Sequence, residues 1–340
     1  MIEKVDIAIV GATTSVGETL IEILQERKFP VGQIYLLESE VSSASRAEFN
    51  GQTLKIGDLN TFEFSKTQIA FFVSTTEISK AFVEKAAGQG CIVIDRSPAF
   101  RNDKDVPLII PEINESALEH FNKKNIVACP SCNTIQLLMA LNPIHKEVGL
   151  QRLNISTYQS VSGSGKDAAE ELASQTAALL NFRDVKSKTY AKQIAFNVLP
   201  QVGEFLDNGY TTEEMKLVWE SQKVLNDDSI KINPTTVRVP VFISHAASIH
   251  IETNEKISAA KARELLHDAE GIEVVDQPKT GSWPTPVTEA AGNDSVYVGR
   301  IREDISSENG LNLWVVTDNM RKGAATNAVQ IAEVLVKLYI

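Results

Sequence analysis

Cysteine is scarce: three residues in 340. So few thiols build no disulfide framework and point to a reducing compartment, the cytoplasm. Positive charge is also in deficit, with 33 Lys and Arg against 44 Asp and Glu and a net charge of −11. No basic excess exists to neutralise phosphates, which argues against nucleic acid or an anionic membrane as a partner. No apolar run approaches the roughly 20 residues that span a bilayer. The opening MIEKVDIAIVG enters a strand-like run at once, without a signal-peptide pattern. Low-complexity tracts and internal repeats are absent too. What remains is the composition of a soluble globular protein, 43% hydrophobic and 23% charged, at a length that predicts two domains.

Up to about residue 130, apolar runs at 6–10, 33–37, 68–73, 91–95, 108–110 and 125–128 alternate with helix-like stretches such as 16–27 and 78–88. This alternation predicts a parallel, doubly wound sheet with right-handed crossovers. Beyond Cys132 the strands lengthen, to 152–161, 235–253, 295–302 and 311–317, with helices near 166–180, 212–226 and 258–267. Long strands with few βαβ units predict a mostly antiparallel sheet with helices on one face. Residues 324–339 read as one amphipathic helix.

A glycine-bearing turn, GATTSVG at 11–17, joins the first strand to the first helix. A dinucleotide pyrophosphate binds at such a place, on amides at a helix N-terminus. Thr14 stands at the centre of the loop where a third glycine is expected, and its branched Cβ disfavours positive φ. Glu38 ends the second strand, where an acid accepts from adenosine ribose hydroxyls and repels a 2′-phosphate. Read alone it favours NAD over NADP.

Two of the three cysteines stand in IVACPSCNTIQ, as Cys129 and Cys132. The pair admits three readings: a redox couple, half a metal site, or one reactive thiol with a neighbour. Cys132 opens a helix-like run, where unpaired amides and the dipole favour a thiolate; a buried structural cysteine is the alternative. Zinc is disfavoured because no second CxxC or HxxxH accompanies it. Of five histidines, His245 in VRVPVFISHAASIHIET attracts notice, seven residues after Arg238. A regular strand would send the two to opposite faces, so a bend near Pro240 is needed to reunite them. Gln159 falls near the end of a long strand. Glu220 and Lys223, three apart on a helix, make an ordinary surface ion pair in the absence of other information.

Together these stretches resemble aspartate-β-semialdehyde dehydrogenase over essentially the whole chain. FPVGQIYLL at 29–37, VPLIIPEIN at 106–114, TYQSVSGSGK at 157–166, EEMKLVWESQK at 213–223, VRVPVF with HA at 237–246, VGRIRED at 298–304 and RKGAATNAVQIAE at 321–333 carry the resemblance with the motifs above. It implies a Rossmann-type NAD(P)-binding domain, 1–130 plus the helix 324–340. The implied partner is a glyceraldehyde-3-phosphate-dehydrogenase-like catalytic and dimerisation domain, 131–323. It also implies an NADP-dependent enzyme that reduces β-aspartyl phosphate to aspartate β-semialdehyde, a cytoplasmic homodimer in amino-acid biosynthesis, binding neither metal, nucleic acid nor membrane. By resemblance Cys132 is the nucleophile, His245 the acid/base and Gln159 an orienting group. Arg238 and Glu220 bind the substrate carboxylate and ammonium, and Arg101 and Lys223 its phosphate. Gly11, Thr13, Thr14, Ser15, Val16, Ser39, Ser74, Ser162, Gly163 and Asn319 bind the cofactor.

Departures from the family pattern cluster at the cofactor. Thr14 replaces a glycine, VSTTEIS at 73–79 replaces a second glycine turn, and Glu38 and Val41 replace residues that hold a 2′-phosphate. NAD use and weakened binding are therefore both open. Ser131 also stands where the family has Asn, an amide whose loss from an oxyanion site costs about 3 kcal/mol elsewhere. A second reading follows, that of a diverged relative binding an anion or partner without catalysis.

Overall fold

A computed structural model describes residues 4–40 and 46–340. Val41 lies outside the described residues. The chain divides into two compact units, Met1–Ser131 with Ala324–Ile340, and Cys132–Gly323.

The first unit begins with β1 (Val5–Val10) and α1 (Ser15–Glu26), then β2 (Val31–Glu38). A hairpin follows, β3 (Arg46–Phe49) and β4 (Gln52–Lys55), then β5 (Gly57–Asp58), β6 (Ile69–Phe72) and α2 (Thr76–Gly88). β7 (Ile92–Asp95), the single turn α3 (Pro111–Asn114) and β8 (Ile126–Ala128) complete it. Six strands form one sheet in the order β5-β2-β1-β6-β7-β8, every pairing parallel. Central strands of a parallel sheet are covered on both faces, so they are continuously apolar; Ile69–Phe72 is buried throughout.

α1 starts where Thr14, at φ −71° and ψ 157°, accepts a hydrogen bond from the Gly17 amide through its side chain. α2 starts in the same way, with Thr75 at φ −75° capping the amide of Ile78. The C-terminal helix, Asn327–Leu338, belongs to this unit. Asn327 donates to the Ile109 carbonyl (3.1 Å) and Gln330 to Glu112 (2.7 Å). The predicted helix at 324–339 is thus regular only from Asn327, because 321–326 form a wider π-type turn. The strand predicted at 108–110 is an isolated bridge between Leu108 and Ala128; the flanking Pro107 and Pro111 have no N–H to extend the ladder.

The second unit opens with α4 (Cys132–Val148), followed by β9 (Leu150–Gln159), α5 (Lys166–Leu180) and α6 (Thr212–Leu225). Then come β10 (Lys231–Arg238), β11 (His245–Thr253), α7 (Ala259–His267), β12 (Ile272–Val274), β13 (Val296–Glu303) and β14 (Gly310–Thr317). The sheet order is β10-β9-β11-β14-β13-β12. Its three inner pairings are antiparallel and its two edge pairings parallel. α4 packs on β9, β11, β13 and β14, with α6 and α7 beside it. The single strand predicted at 235–253 is two strands, on opposite sides of β9. The chain leaves the sheet after Arg238, at a stretch containing Pro240, and re-enters at His245 after Ser244 at φ 71°.

Thr14 caps a helix in an extended conformation, so the position has no need of glycine. Thr14→Ala should cost about 1 kcal/mol in equilibrium urea unfolding. A variant as stable as the wild type would contradict the capping role.

Candidate active site

β9 ends at Gln159, with Arg238 its register partner on one side and the start of β11 on the other. The break between β10 and β11 thereby returns Arg238 and His245 to one corner, which a continuous strand forbids. Gly163, in the turn after β9, lies over both: a Cβ there would stand 3.0 Å from Arg238 Nη1 and 3.3 Å from His245 Nε2. A side chain there would press on both groups.

His245 is fully buried, and its Nδ1 accepts from the Ser160 amide at 3.2 Å, with Ser160 Oγ at 3.1 Å. A proton on Nδ1 would oppose that N–H. The neutral ring therefore carries its hydrogen on Nε2, the nitrogen next to Gly163. Ser244, immediately before it, donates its N–H to Asn319 Oδ1 at 2.9 Å, and Ser162 Oγ donates to the same oxygen at 3.1 Å.

Arg238 donates from Nη1 to the Ser160 carbonyl at 2.6 Å. Burial pushes its pKa down, against the pull of Tyr190, Glu213 and Cys132; the guanidinium remains charged at neutral pH. Cys132 lies within electrostatic reach of this cation, at the first residue of a 17-residue helix. Both features favour a thiolate. A Cβ on Gly323 would come within 2.8 Å of Cys132 Cβ, so the backbone closes over the cysteine on that side. A cavity of about 490 Å³ opens beside Arg238, lined also by Ser164, Tyr190, Lys192, Leu199 and Phe205.

α6 is tied to its neighbours by carboxylates. Glu220 Oε2 accepts from Thr134 Oγ at 2.8 Å, and Glu213 Oε1 from Asn133 Nδ2 at 3.1 Å. Glu214 closes a capping box with Thr211 and accepts the Thr236 amide at 2.9 Å. These bonds join the helix bearing Glu220 and Lys223 to the start of α4 and to the strand bearing Arg238. Gln159 is buried and donates to Thr157 at 3.2 Å.

In the first unit, the sheet's carboxyl edge carries the candidate dinucleotide loop. Gly11 has φ +89°, and a Cβ there would lie 2.8 Å from the Val73 carbonyl oxygen. Thr14 Oγ donates to the Gly11 carbonyl at 2.7 Å, which draws the threonine side chain inward. Ser15 and Val16 present first-turn amides that have no intrahelical acceptor, the arrangement that receives phosphate. The residues present fit a dinucleotide. Thr13 gives both its N–H (2.7 Å) and its hydroxyl (2.6 Å) to Glu38 Oε1. Ser39 and Ser74 are half-buried at the same edge. Arg101 is buried in this unit, donating to the Arg96 carbonyl. Beside it Asp95 accepts from Ser79 and Ser97 (both 2.8 Å), and burial raises its pKa.

A family model for the semialdehyde dehydrogenase NAD binding domain matches residues 6–121, and one for the semialdehyde dehydrogenase dimerisation domain matches 141–322. Aspartate-semialdehyde dehydrogenase from Shewanella sp. strain DB6705 is 51% identical over the full length of both chains. The chain belongs to the aspartate-semialdehyde dehydrogenase family. The crystal structure of aspartate semialdehyde dehydrogenase II from Vibrio cholerae superposes with a TM-score of 0.97 at 50% identity, covering 99% of this chain and 100% of that one. A probable aspartate-semialdehyde dehydrogenase from Pseudomonas aeruginosa gives 0.95 at 36% identity, with the same coverage.

Family membership gives the departures a physical meaning. Thr14 and Thr75 adopt ordinary extended angles and cap α1 and α2, so neither position demands a glycine. Cys129 stands three residues before Cys132. It is fully buried and its thiol is pushed up to about 12, a poor partner for a thiol switch with Cys132. Ser160, Thr134 and the Thr13–Glu38 bonds carry no sequence signal of their own and emerge only in three dimensions.

Brief alkylation with iodoacetamide at pH 8, followed by peptide mapping, should label Cys132 and spare Cys91 and Cys129. Thiols raised to about 12 by burial hold only about one part in 10⁴ as thiolate at that pH. Equal labelling of all three would refute the assignment of Cys132 as the reactive thiol.

Proposed function

We propose that the chain works as an aspartate-semialdehyde dehydrogenase, reductively dephosphorylating β-aspartyl phosphate through Cys132. The single observation that carries this reading is the shared corner of Arg238, His245 and Gly163 in the unit that Cys132 opens. The relatives' names fix the reaction class, and one solved V. cholerae relative is described as complexed with ASA.

The chain's residues divide the work as follows. Arg238 pairs its planar fork with the substrate α-carboxylate, and Glu220 takes the α-ammonium. Arg101 and Lys223 hold the phosphate, and Gln159 orients the acyl group. Cys132 Sγ attacks the acyl carbon; the carbon–oxygen bond to phosphate breaks, phosphate leaves, and an enzyme thioester remains. A reduced nicotinamide dinucleotide, when bound, supplies hydride to that acyl carbon. His245 Nε2–H donates a hydrogen bond to the carbonyl oxygen as it gains charge, and holds that oxyanion until it collapses. The carbon–sulfur bond breaks, releasing the semialdehyde and returning the Cys132 thiolate.

Gly11, Thr13, Thr14, Ser15, Val16, Ser39 and Ser74 hold the dinucleotide; resemblance also assigns Ser162, Gly163 and Asn319 to it. Residues 1–130 with 324–340 form the cofactor domain, and 131–323 the catalytic and dimerisation domain of a cytoplasmic homodimer. Resemblance alone favours NADP. Nothing in the site favours a non-catalytic relative.

Purified protein given semialdehyde, inorganic phosphate and either oxidised dinucleotide should form the reduced cofactor. Cys132→Ser should lower the rate by at least roughly 10³-fold while still binding dinucleotide. Absence of turnover with both NADP and NAD, or full activity in Cys132→Ser, would overturn the proposal.

A further inference from the structure

We infer that the first unit selects NAD over NADP, with the Glu38 carboxylate as the specificity-determining group. The inference rests on the dehydrogenase reading above and deepens it.

Glu38 is the last residue of β2, adjacent to the loop that leaves β1. In an open parallel sheet, that position faces the adenosine ribose. An exposed glutamate on a strand end is ordinarily free to swing away from an incoming anion. Here it is fastened, because Oε1 receives the Thr13 amide at 2.7 Å and the Thr13 hydroxyl at 2.6 Å. The carboxylate is thus part of the dinucleotide loop.

A second carboxylate reinforces it. Asp58 on β5 is the register partner of Glu38. Its Oδ1 is held by the Asn60 amide (2.9 Å) and Asn60 Nδ2 (2.8 Å), and Nδ2 also reaches the Ser39 carbonyl at 3.1 Å. Two fixed negative charges therefore stand on neighbouring strands at one corner. Glu40, two residues further along the chain, adds a third carboxylate to this stretch.

A 2′-phosphate brings about −1.5 to −2 further charge at neutral pH and would enter this corner against the Glu38 and Asp58 carboxylates. A ribose with both hydroxyls free donates to a carboxylate instead, which is the pairing that favours NAD. Thr13 thus acts as a positioning residue for Glu38.

The test is calorimetric titration of the full-length protein with NADH and with NADPH. The wild type should bind NADH at least roughly tenfold tighter than NADPH. Glu38→Gln keeps the acceptor for Thr13 and removes the charge, so it should narrow that ratio at least roughly fivefold, chiefly by tightening NADPH. Asp58→Asn should narrow it in the same direction, and circular dichroism checks that both variants fold. NADPH binding as tight as NADH in the wild type, or an unchanged ratio in both variants, would overturn the inference and leave the dehydrogenase reading standing. Failure of both dinucleotides to bind would overturn both.

Discussion

The amide oxygen of Asn319 is the point on which the second unit's chemistry depends. Asn319 is buried, just past β14, and its Oδ1 receives the Ser244 N–H and the Ser162 hydroxyl. Those donors lie on the segment entering β11 and the turn leaving β9. One acceptor thus fixes the left-handed Ser244 that delivers His245 and the turn that lays Gly163 over it. Ser160, from the same turn, then fixes the imidazole tautomer. Partly buried acceptors that bind several donors are costly to leave unmet, so the arrangement is rigid before substrate arrives.

Around this pin the site is assembled from unlike parts with complementary purposes. A helix N-terminus and a buried guanidinium favour negative sulfur at residue 132. Carboxylates on α6 anchor that helix to the start of α4 and to β10, which sets the spacing between Glu220, Lys223 and Arg238. In the first unit the sheet edge follows a different logic: Thr14 and Thr75, through their hydroxyls, cap the helices that follow. Glu38 uses the same loop as an anchor for its charge.

Much of this was legible in the residues themselves. Uninterrupted apolar runs such as IAFF at Ile69–Phe72 announce buried parallel strands, and α5 covers the residues that its periodicity predicts. Asn50-Gly51, both at positive φ (49° and 73°), marked the β3–β4 hairpin by the familiar Asn-Gly turn chemistry, a signal the periodicity reading passed over. The stretch at 235–253 reads as continuous because the apolar run VRVPVFI carries on from the end of β10 into the link before β11, with Pro240 and Ser244–Ala246 as the signs of a break. Thr14 was misleading for a different reason. A glycine expectation carries a backbone assumption, positive φ, that position 14 does not share: Thr14 has φ −71°. Hydrogen bonds between residues far apart in sequence, such as Thr134 with Glu220 or Glu214 with Thr236, leave no local pattern to read.

The account's central claim is that Cys132 carries the acyl group. The most direct measurement mixes the protein with aspartate semialdehyde and oxidised dinucleotide in the absence of phosphate, quenches with acid, and maps peptides by mass spectrometry. The account predicts one aspartyl group on the peptide containing Cys132, discharged when phosphate is added before the quench. Cofactor reduction with no adduct on that peptide, or an adduct at Cys91 or Cys129, would contradict it.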